Sequence, residues 1–297
     1  MIELTLSPPT KHLPGRRPSF SEETSAHHIK QEATRLLTKG LSPQMWKVLD
    51  WLSVAGVLSA GQLKVFPRTL QRYVKARLLD RLPFSTSELL DEFDQYQLPY
   101  TEKTETQLYV LGPVGLEIVS RRHPYPPLTG YLSYPLARVM HDVILNEIVI
   151  RIANFANEAG WRVTWMGTSS AMLFDAEKNR QLLEPDAMLI FQKDNQERRF
   201  CIEYHNEDKQ TRAEKKVHKY HAAYEAGTWR QQWETETFPT VLAVFEKNIV
   251  GLGYQTVLKG RKPTVNFCGK LLASVLQDHL AEWAVFSTGE RMEILHG

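Results

Sequence analysis

Two acids stand at the edges of neighbouring apolar runs in LLEPDAMLIFQKDNQERRFCIEYHNEDK, residues 182 to 209: Asp186 just ahead of the first run and Glu203 inside the second. The runs EPDAMLIFQ and RRFCIEYHN read as strands joined through the polar turn KDNQER, since short apolar runs bounded by turn residues mark paired strands. Antiparallel pairing of Met188 to Gln192 with Phe200 to His205 brings the two carboxylates close together at the sheet edge. Two hard oxygen donors at that separation suit Mg²⁺, which keeps several waters for use as a nucleophile, the chemistry of phosphodiester hydrolysis. The same residues also read as ordinary polar groups at strand edges, and both readings stand at this level.

Several elements must position them. ARVMHDVILNEIVIRIANFANEAG is a long helix ended by Gly160, WRVTWMG a strand, DKQTRAEKKVHKYHAAYEAG a second helix and PTVLAVFE a buried strand, which together make an α/β order. His141 falls among Ala137, Ile144, Leu145, Ile148 and Ile152 on a helical projection, so it reads as a core histidine bonded to a backbone carbonyl, with a site residue facing Asp186 as the alternative. Lys209, Arg212, Lys216 and Lys219 recur at helical spacing as one basic side, a phosphate-tracking face or a solvated one. In the last 45 residues, NFCGKLLASVLQDHLAEWAVF suggests a helix and a final strand; Trp229 and Trp233 suit a core or a partner surface.

The N-terminal half has a different pattern. SPQMWKVLDWLSVAG has Ser at a cap position, Pro at the first helical position and Gly56 as a stop. SAGQLKVF follows, again opened by a Ser, and Pro67 begins PRTLQRYVKARLLDRL with an apolar stripe of Leu70, Tyr73, Val74 and Leu78. Three short helices in about 40 residues fit a helix-turn-helix core. Leu82 to Phe84 and Gln107 to Leu111 read as a β-ribbon before a helix opening at Pro113, the order of a winged helix. The long connection from Ser85 to Glu105 carries the acidic run ELLDEFD, which reads as an inserted helix and suits a protein-docking role. Arg68, Gln71, Arg72, Lys75 and Arg77 fall largely away from the apolar stripe. Arg and Gln can read guanine and adenine edges and Lys can hold phosphate, so these five form a candidate recognition surface for double-stranded DNA; the alternative is a basic solvated face.

Composition bounds these readings. The 297 residues are 42% hydrophobic and 24% charged, enough for one large domain or two modest ones with a real core. Thirty-six basic against 34 acidic residues leave a net charge of +2, so affinity for a polyanion has to come from local clusters. Only Cys201 and Cys268 are present, far apart, which disfavours a disulfide framework or a structural zinc site. No apolar run reaches the roughly 18 to 20 residues that span a bilayer, and the first 20 residues lack the apolar core of a signal peptide, so a cytoplasmic protein is expected. Residues 1–25, rich in proline and carrying Lys11, Arg16 and Arg17, read as a mobile arm. HPYPPLTGYLSYPL reads as an extended linker over residues 123–136, separating a winged-helix domain (26–122) from an α/β domain (137–297).

The second domain resembles the PD-(D/E)xK nuclease superfamily through PD at 185–186 and EYH at 203–205, with His205 standing where that motif places a lysine. Lys216 and Tyr220, four residues apart, look like the helix motif of its RecB-type members, with Lys in the place of a Gln. The resemblance implies that Asp186 and Glu203 hold the metal, that Lys216 or His205 acts on the water and that Glu147 supports them. Across both domains, RTLQRYVKARLLDRL, LYVLGPVGLEIV, HDVILNEI, EPDAMLIF, FCIEYHNED and KVHKYHAAYE resemble the replication-relaxation family of plasmid and mobile-element proteins. That resemblance implies an α+β protein, a winged helix-turn-helix followed by a restriction-endonuclease-like domain, acting on DNA in replication, processing or regulation beside other proteins of the same element. Because the strand lysine is missing, a DNA-binding protein with a degenerate nuclease-like domain is the expected function. A Mg²⁺-dependent endonuclease and a winged-helix assembly factor are its alternatives.

Overall fold

The protein is described here from a computed structural model, over residues 4–7, 23–122, 130–175, 180–260 and 264–295. Its contacts divide it into two compact units, Pro8–Glu147 and Ile148–Gly297 with Met1–Ser7. Strand β1 (Leu4–Ser7) belongs to the C-terminal unit, so part of the expected mobile arm is instead paired backbone; Lys11, Arg16 and Arg17 lie outside the described residues.

In the N-terminal unit, α1 (Glu23–Lys39) precedes α2 (Pro43–Ala55). Ser42 caps α2 by accepting the Met45 N–H at 3.2 Å, and Gly56, at φ +76°, ends it in a conformation that side chains with a Cβ rarely adopt. Strand β2 (Val57–Ser59) leads into the single turn α3 (Ala60–Leu63), where Ser59 and Gln62 form a reciprocal capping box. Helix α4 (Pro67–Lys75) is followed by β3 (Leu79–Arg81), α5 (Thr86–Gln95), β4 (Leu108–Leu111) and α6 (Pro113–Arg122). The three strands form one antiparallel sheet in the order β2-β4-β3. The ribbon strand expected at Leu82 to Phe84 is found three residues earlier, since Pro83 has no N–H to give a ladder. Residues 123–129 of the expected linker lie outside the description. The remainder is packed: a 3₁₀ turn (Tyr131–Ser133) buries Tyr131, whose hydroxyl donates to Asp142 at 2.8 Å.

Helix α7 (Leu136–Glu158) contributes to both units, so the boundary between them falls inside it and not in the preceding segment. The C-terminal unit continues with β5 (Arg162–Gly167), α8 (Thr168–Ala171), the small ribbon β6 (Leu173–Asp175) and β7 (Arg180–Leu183), and the hairpin β8 (Ala187–Lys193) and β9 (Gln196–His205). Then come α9 (Thr211–Ala226), α10 (Trp229–Gln232), β10 (Thr240–Phe245), α11 (Asn248–Leu258), β11 (Phe267–Leu271), α12 (Leu272–Leu276), β12 (Glu282–Val285) and β13 (Arg291–Glu293). Eight strands make one mixed sheet ordered β1-β5-β8-β9-β10-β11-β12-β13. The β8–β9 hairpin turns at Asp194, at φ +52°, a residue type that tolerates the left-handed region. Strand β10 runs parallel to β9, and such a pair needs a crossover, which α9 supplies.

Period-two alternation sorts β9: Cys201, Glu203 and His205 face one side, Ile202 and Tyr204 the other. The first side carries the core that α9 covers with Ala213, Val217, Tyr220 and Ala223, against Met188, Cys201, Val241 and Ala243. Trp229 and Trp233 belong to this core, each donating its indole N–H to a backbone carbonyl, of Tyr224 and Ala171 respectively. The helix and final strand expected in NFCGKLLASVLQDHLAEWAVF are the short α12 and β12, but the segment opens with an unexpected strand, β11. Its parallel register with β10, Val241 opposite Phe267 to Phe245 opposite Leu271, buries it on the sheet, and tertiary pairing outweighs its ambiguous local pattern.

Candidate functional site

The register that pairs Ala187 with Ile202 brings Asp186, one residue before β8, beside Glu203 and Tyr204. Asp186 is fixed on both sides of its Cα: the Tyr204 N–H donates to its Oδ2 at 2.8 Å, and the Thr168 hydroxyl donates to its carbonyl at 2.7 Å. Glu203 is completely buried. Its Oε1 accepts the Tyr220 hydroxyl at 2.6 Å and its Oε2 accepts the Lys216 ammonium, both reaching down from successive turns of the same face of α9. The Lys216 Nζ also stands 3.9 Å from Asp186 Oδ1. One ammonium thus lies between the two carboxylates.

The charges in this cluster are strongly coupled. Burial drives the Glu203 carboxyl above its ordinary pKa, and Lys216 opposes that rise more than any other neighbour. Burial works against the Lys216 ammonium in turn, yet Glu203 and then Asp186 outweigh it and hold its pKa above the ordinary lysine value. The Tyr220 and Tyr254 hydroxyls and the Cys201 thiol are all pushed up, first by burial and then by the Glu203 charge. A fully buried carboxylate is tolerable because each of its oxygens receives a hydrogen bond and a cation stands against it.

The other residues expected at this site have further partners of their own. His205 lies on the same side of β9 as Glu203, but its Nε2 pairs with the Tyr254 hydroxyl of α11 at 2.9 Å and its Nδ1 is 3.7 Å from Glu207. Gly253 lets α11 lie close: a Cβ there would come within 2.7 Å of the Gln210 carbonyl. Glu147 belongs to the N-terminal unit, buried, and its Oε2 accepts the Tyr100 hydroxyl at 2.9 Å and the Gln62 amide at 3.3 Å. The expectation for it is support of Asp186 and Glu203; these two bonds are with residues of its own unit. His141 is partly exposed, with its Nδ1 3.1 Å from Asp142 Oδ1, and does not sit in the core. The basic side of α9 is likewise interrupted, since Lys216 turns inward and Arg212 pairs with Glu207 at 2.9 Å.

In the N-terminal unit, α4 buries Leu70 and Tyr73 and leaves Arg68, Gln71, Arg72 and Lys75 exposed. Among the described residues, no carboxylate pairs with any of these four. Arg77 is exposed too but is not on the helix: α4 ends at Lys75, and Arg77 sits in the turn at φ +55°, near enough to Asp80 to lower that acid's burial-raised pKa.

The sequence model of the replication-relaxation family matches residues 49–241, well over half of the chain, and this span holds both α4 and the acid–lysine cluster. The chain belongs to the replication-relaxation family. Membership points to a role in the replication or processing of plasmid or mobile-element DNA. No curated protein and no solved structure gives a match.

Some of this replication-relaxation chain's site residues carry little signal in sequence. Tyr254 and Glu207, which hold His205, stand far along the chain or in a polar stretch with no motif. Thr168 is visible only as one hydroxyl in GTSSA. Among the described residues, no group of three or more His, Cys, Asp and Glu side chains is arranged to hold a metal ion, and no helix is long and apolar enough to cross a membrane.

Proposed function

We propose that this protein is a DNA-binding member of its family, whose N-terminal unit grips duplex DNA through α4 and whose C-terminal unit is a nuclease-like fold that has exchanged its metal for a lysine. The observation that carries the binding half is the exposed, uncompensated row Arg68, Gln71, Arg72 and Lys75 on one helix. Unpaired cations on a rigid element neutralise phosphate, and bidentate Arg and Gln read base edges. The surrounding order supports it: α2, β2, α3, α4, β3, a long connection and β4, with a sheet ordered β2-β4-β3, is the plan of a winged helix, in which the third helix enters the major groove.

The order α7, β5, β8, β9, α9, β10, with three antiparallel strands and then a parallel one, supports a restriction-endonuclease-like second unit. Its donor set suits an ammonium better than a hydrated divalent cation. Both Glu203 oxygens and one Asp186 oxygen already accept hydrogen bonds, and Glu203 has no solvent-facing surface for metal-bound waters. Lys216 supplies the positive charge that the acids need, and the unit serves as a structured platform in a replication or regulatory assembly.

The test is direct. Salt-dependent binding of duplex DNA is expected for the wild-type chain, weakened steeply by Arg72→Ala. Supercoiled and linear DNA incubated with Mg²⁺ or Mn²⁺ is expected to stay intact. Cleavage that disappears in both Asp186→Ala and Glu203→Ala would establish the endonuclease instead.

A further inference from the structure

We infer that the cleft between α4 and the inserted segment is a second phosphate-binding wall, taking the sugar-phosphate backbone of the DNA that α4 faces. This rests on the DNA-binding reading of α4 and extends it to residues that no motif marks. The cleft has a volume of about 490 Å³ and is lined by Gln71, Val74 and Lys75 of α4, by Arg81 of β3, and by Lys103 and Thr104 of the connection to β4. Three cations therefore converge from three separate elements. The lining contains no carboxylate.

Like charges brought together by folding repel one another unless an anion sits among them, and proteins commonly place a carboxylate there. Here none is supplied. Lys75, Arg81 and Lys103 form no ion pair among the described residues, although the insertion is rich in acids. None of those acids lines the cleft, and two of them are bound within the insertion: Glu88 to Ser85 in the cap of α5, and Glu105, which accepts the Glu102 N–H at 3.3 Å. The remaining wall is neutral, and the Thr86 and Thr104 hydroxyls in it can donate to phosphate oxygens.

The wall is also held in place. The Gln107 amide donates to the Thr86 hydroxyl and to the Lys103 carbonyl, each at 3.4 Å, and the Gly61 N–H donates to the Glu105 carbonyl at 3.0 Å. A long connection tied down at both ends holds the backbone that carries Lys103, which loses less entropy on binding than a free loop. The acidic insertion thus contributes a basic side to the DNA grip, in addition to any role for its acids.

The experiment is a fluorescence-anisotropy titration of labelled mixed-sequence duplex DNA with the full chain over a range of salt concentrations. Arg81→Ala/Lys103→Ala is compared with Arg72→Ala and with Lys39→Ala, a surface cation on α1, and all are checked for unchanged thermal unfolding. Two lost phosphate contacts are expected to lower the slope of log K against log salt by about 2, equally for every sequence tested. A double variant indistinguishable from Lys39→Ala, while Arg72→Ala still weakens binding, overturns the second wall and leaves the α4 reading standing. If Arg72→Ala is also without effect, or the wild type binds no duplex, the DNA-binding reading itself falls and the cleft with it.

Discussion

Replacing Lys216 by Met removes the ammonium between Asp186 and Glu203 while keeping most of the length of the side chain. Glu203, with no exposed surface, then keeps only the Tyr220 hydroxyl at 2.6 Å. Breaking a buried ion pair from one side typically costs about 3–5 kcal/mol, because the surviving charge stays buried. For a unit of this size each kcal/mol moves the midpoint by roughly 2–4 °C, so a loss of roughly 6–20 °C is expected near neutral pH. The loss carries a pH signature. Lys216 is the strongest influence lowering the Glu203 pKa, so without it the folded-state value rises still further above the ordinary 4.5. A raised folded pKa leaves the group's contribution intact below the unfolded value and removes it as pH rises through the folded one. The deficit of Lys216→Met against wild type should therefore be small near pH 5 and large near pH 8. Adding Glu203→Gln should recover part of it, since the buried charge is gone. Thermal unfolding followed by tryptophan fluorescence suits the purpose, because Trp161, Trp165, Trp229, Trp233 and Trp283 all lie in the C-terminal unit. A deficit that is the same at both pH values, or no deficit at all, would refute the reasoning that Lys216 serves as the internal counter-ion of Glu203.

Tyr220→Phe keeps the ring in the core but leaves Glu203 Oε1 without its donor, and should lower stability by about 1–3 kcal/mol in urea unfolding. Gly253→Ala places a methyl within 2.7 Å of the Gln210 carbonyl and 3.1 Å of Ala213, so it should destabilise the packing of α11 on α9 by about 1–3 kcal/mol, read as a lowered unfolding midpoint. Because the Lys216 ammonium already fills the space between the two acids, millimolar Mg²⁺ or Mn²⁺ should leave the wild-type midpoint where it is; a rise with metal concentration would show that the cation competes for the carboxylates. Glu147→Gln should disturb the N-terminal unit, through its Tyr100 and Gln62 bonds, and leave the tryptophan signal of the C-terminal unit unmoved.

Much of the local structure was legible because it is written in short-range chemistry. Ser42 with Pro43, Gly56 and the polar turn at Asp194 announce their elements through capping and left-handed backbone, independent of the rest of the fold. The hairpin followed, and with it the neighbourhood of Asp186 and Glu203. What stayed hidden depends on long-range pairing. Leu4–Ser7 looks like the start of a proline-rich tail until β5 offers it an edge, and NFCGKLL is apolar enough for helix or strand until β10 selects the strand. Arg77 follows the periodicity of α4 in sequence yet falls outside it, because the chain turns at φ +55° directly after the helix.

The same distinction applies to the acidic pair, whose meeting is legible in the sequence and whose partners are visible only in the fold. Spacing along a chain can say that two carboxylates meet; it cannot say how many of their lone pairs are already used. Asp186 and Glu203 present four oxygens, and three accept hydrogen bonds from the Tyr204 N–H, the Tyr220 hydroxyl and the Lys216 ammonium. The fourth, Asp186 Oδ1, faces the same ammonium at 3.9 Å. In the motif the lysine comes from the strand, where His205 stands here, and His205 has turned to Tyr254. A lysine delivered from α9 reaches the acids along the face that packs on the sheet, so its position is fixed by the core residues Ala213, Val217 and Tyr220 around it. A charge locked in that way stabilises the fold most when it never leaves, and the proposed platform role rests on that.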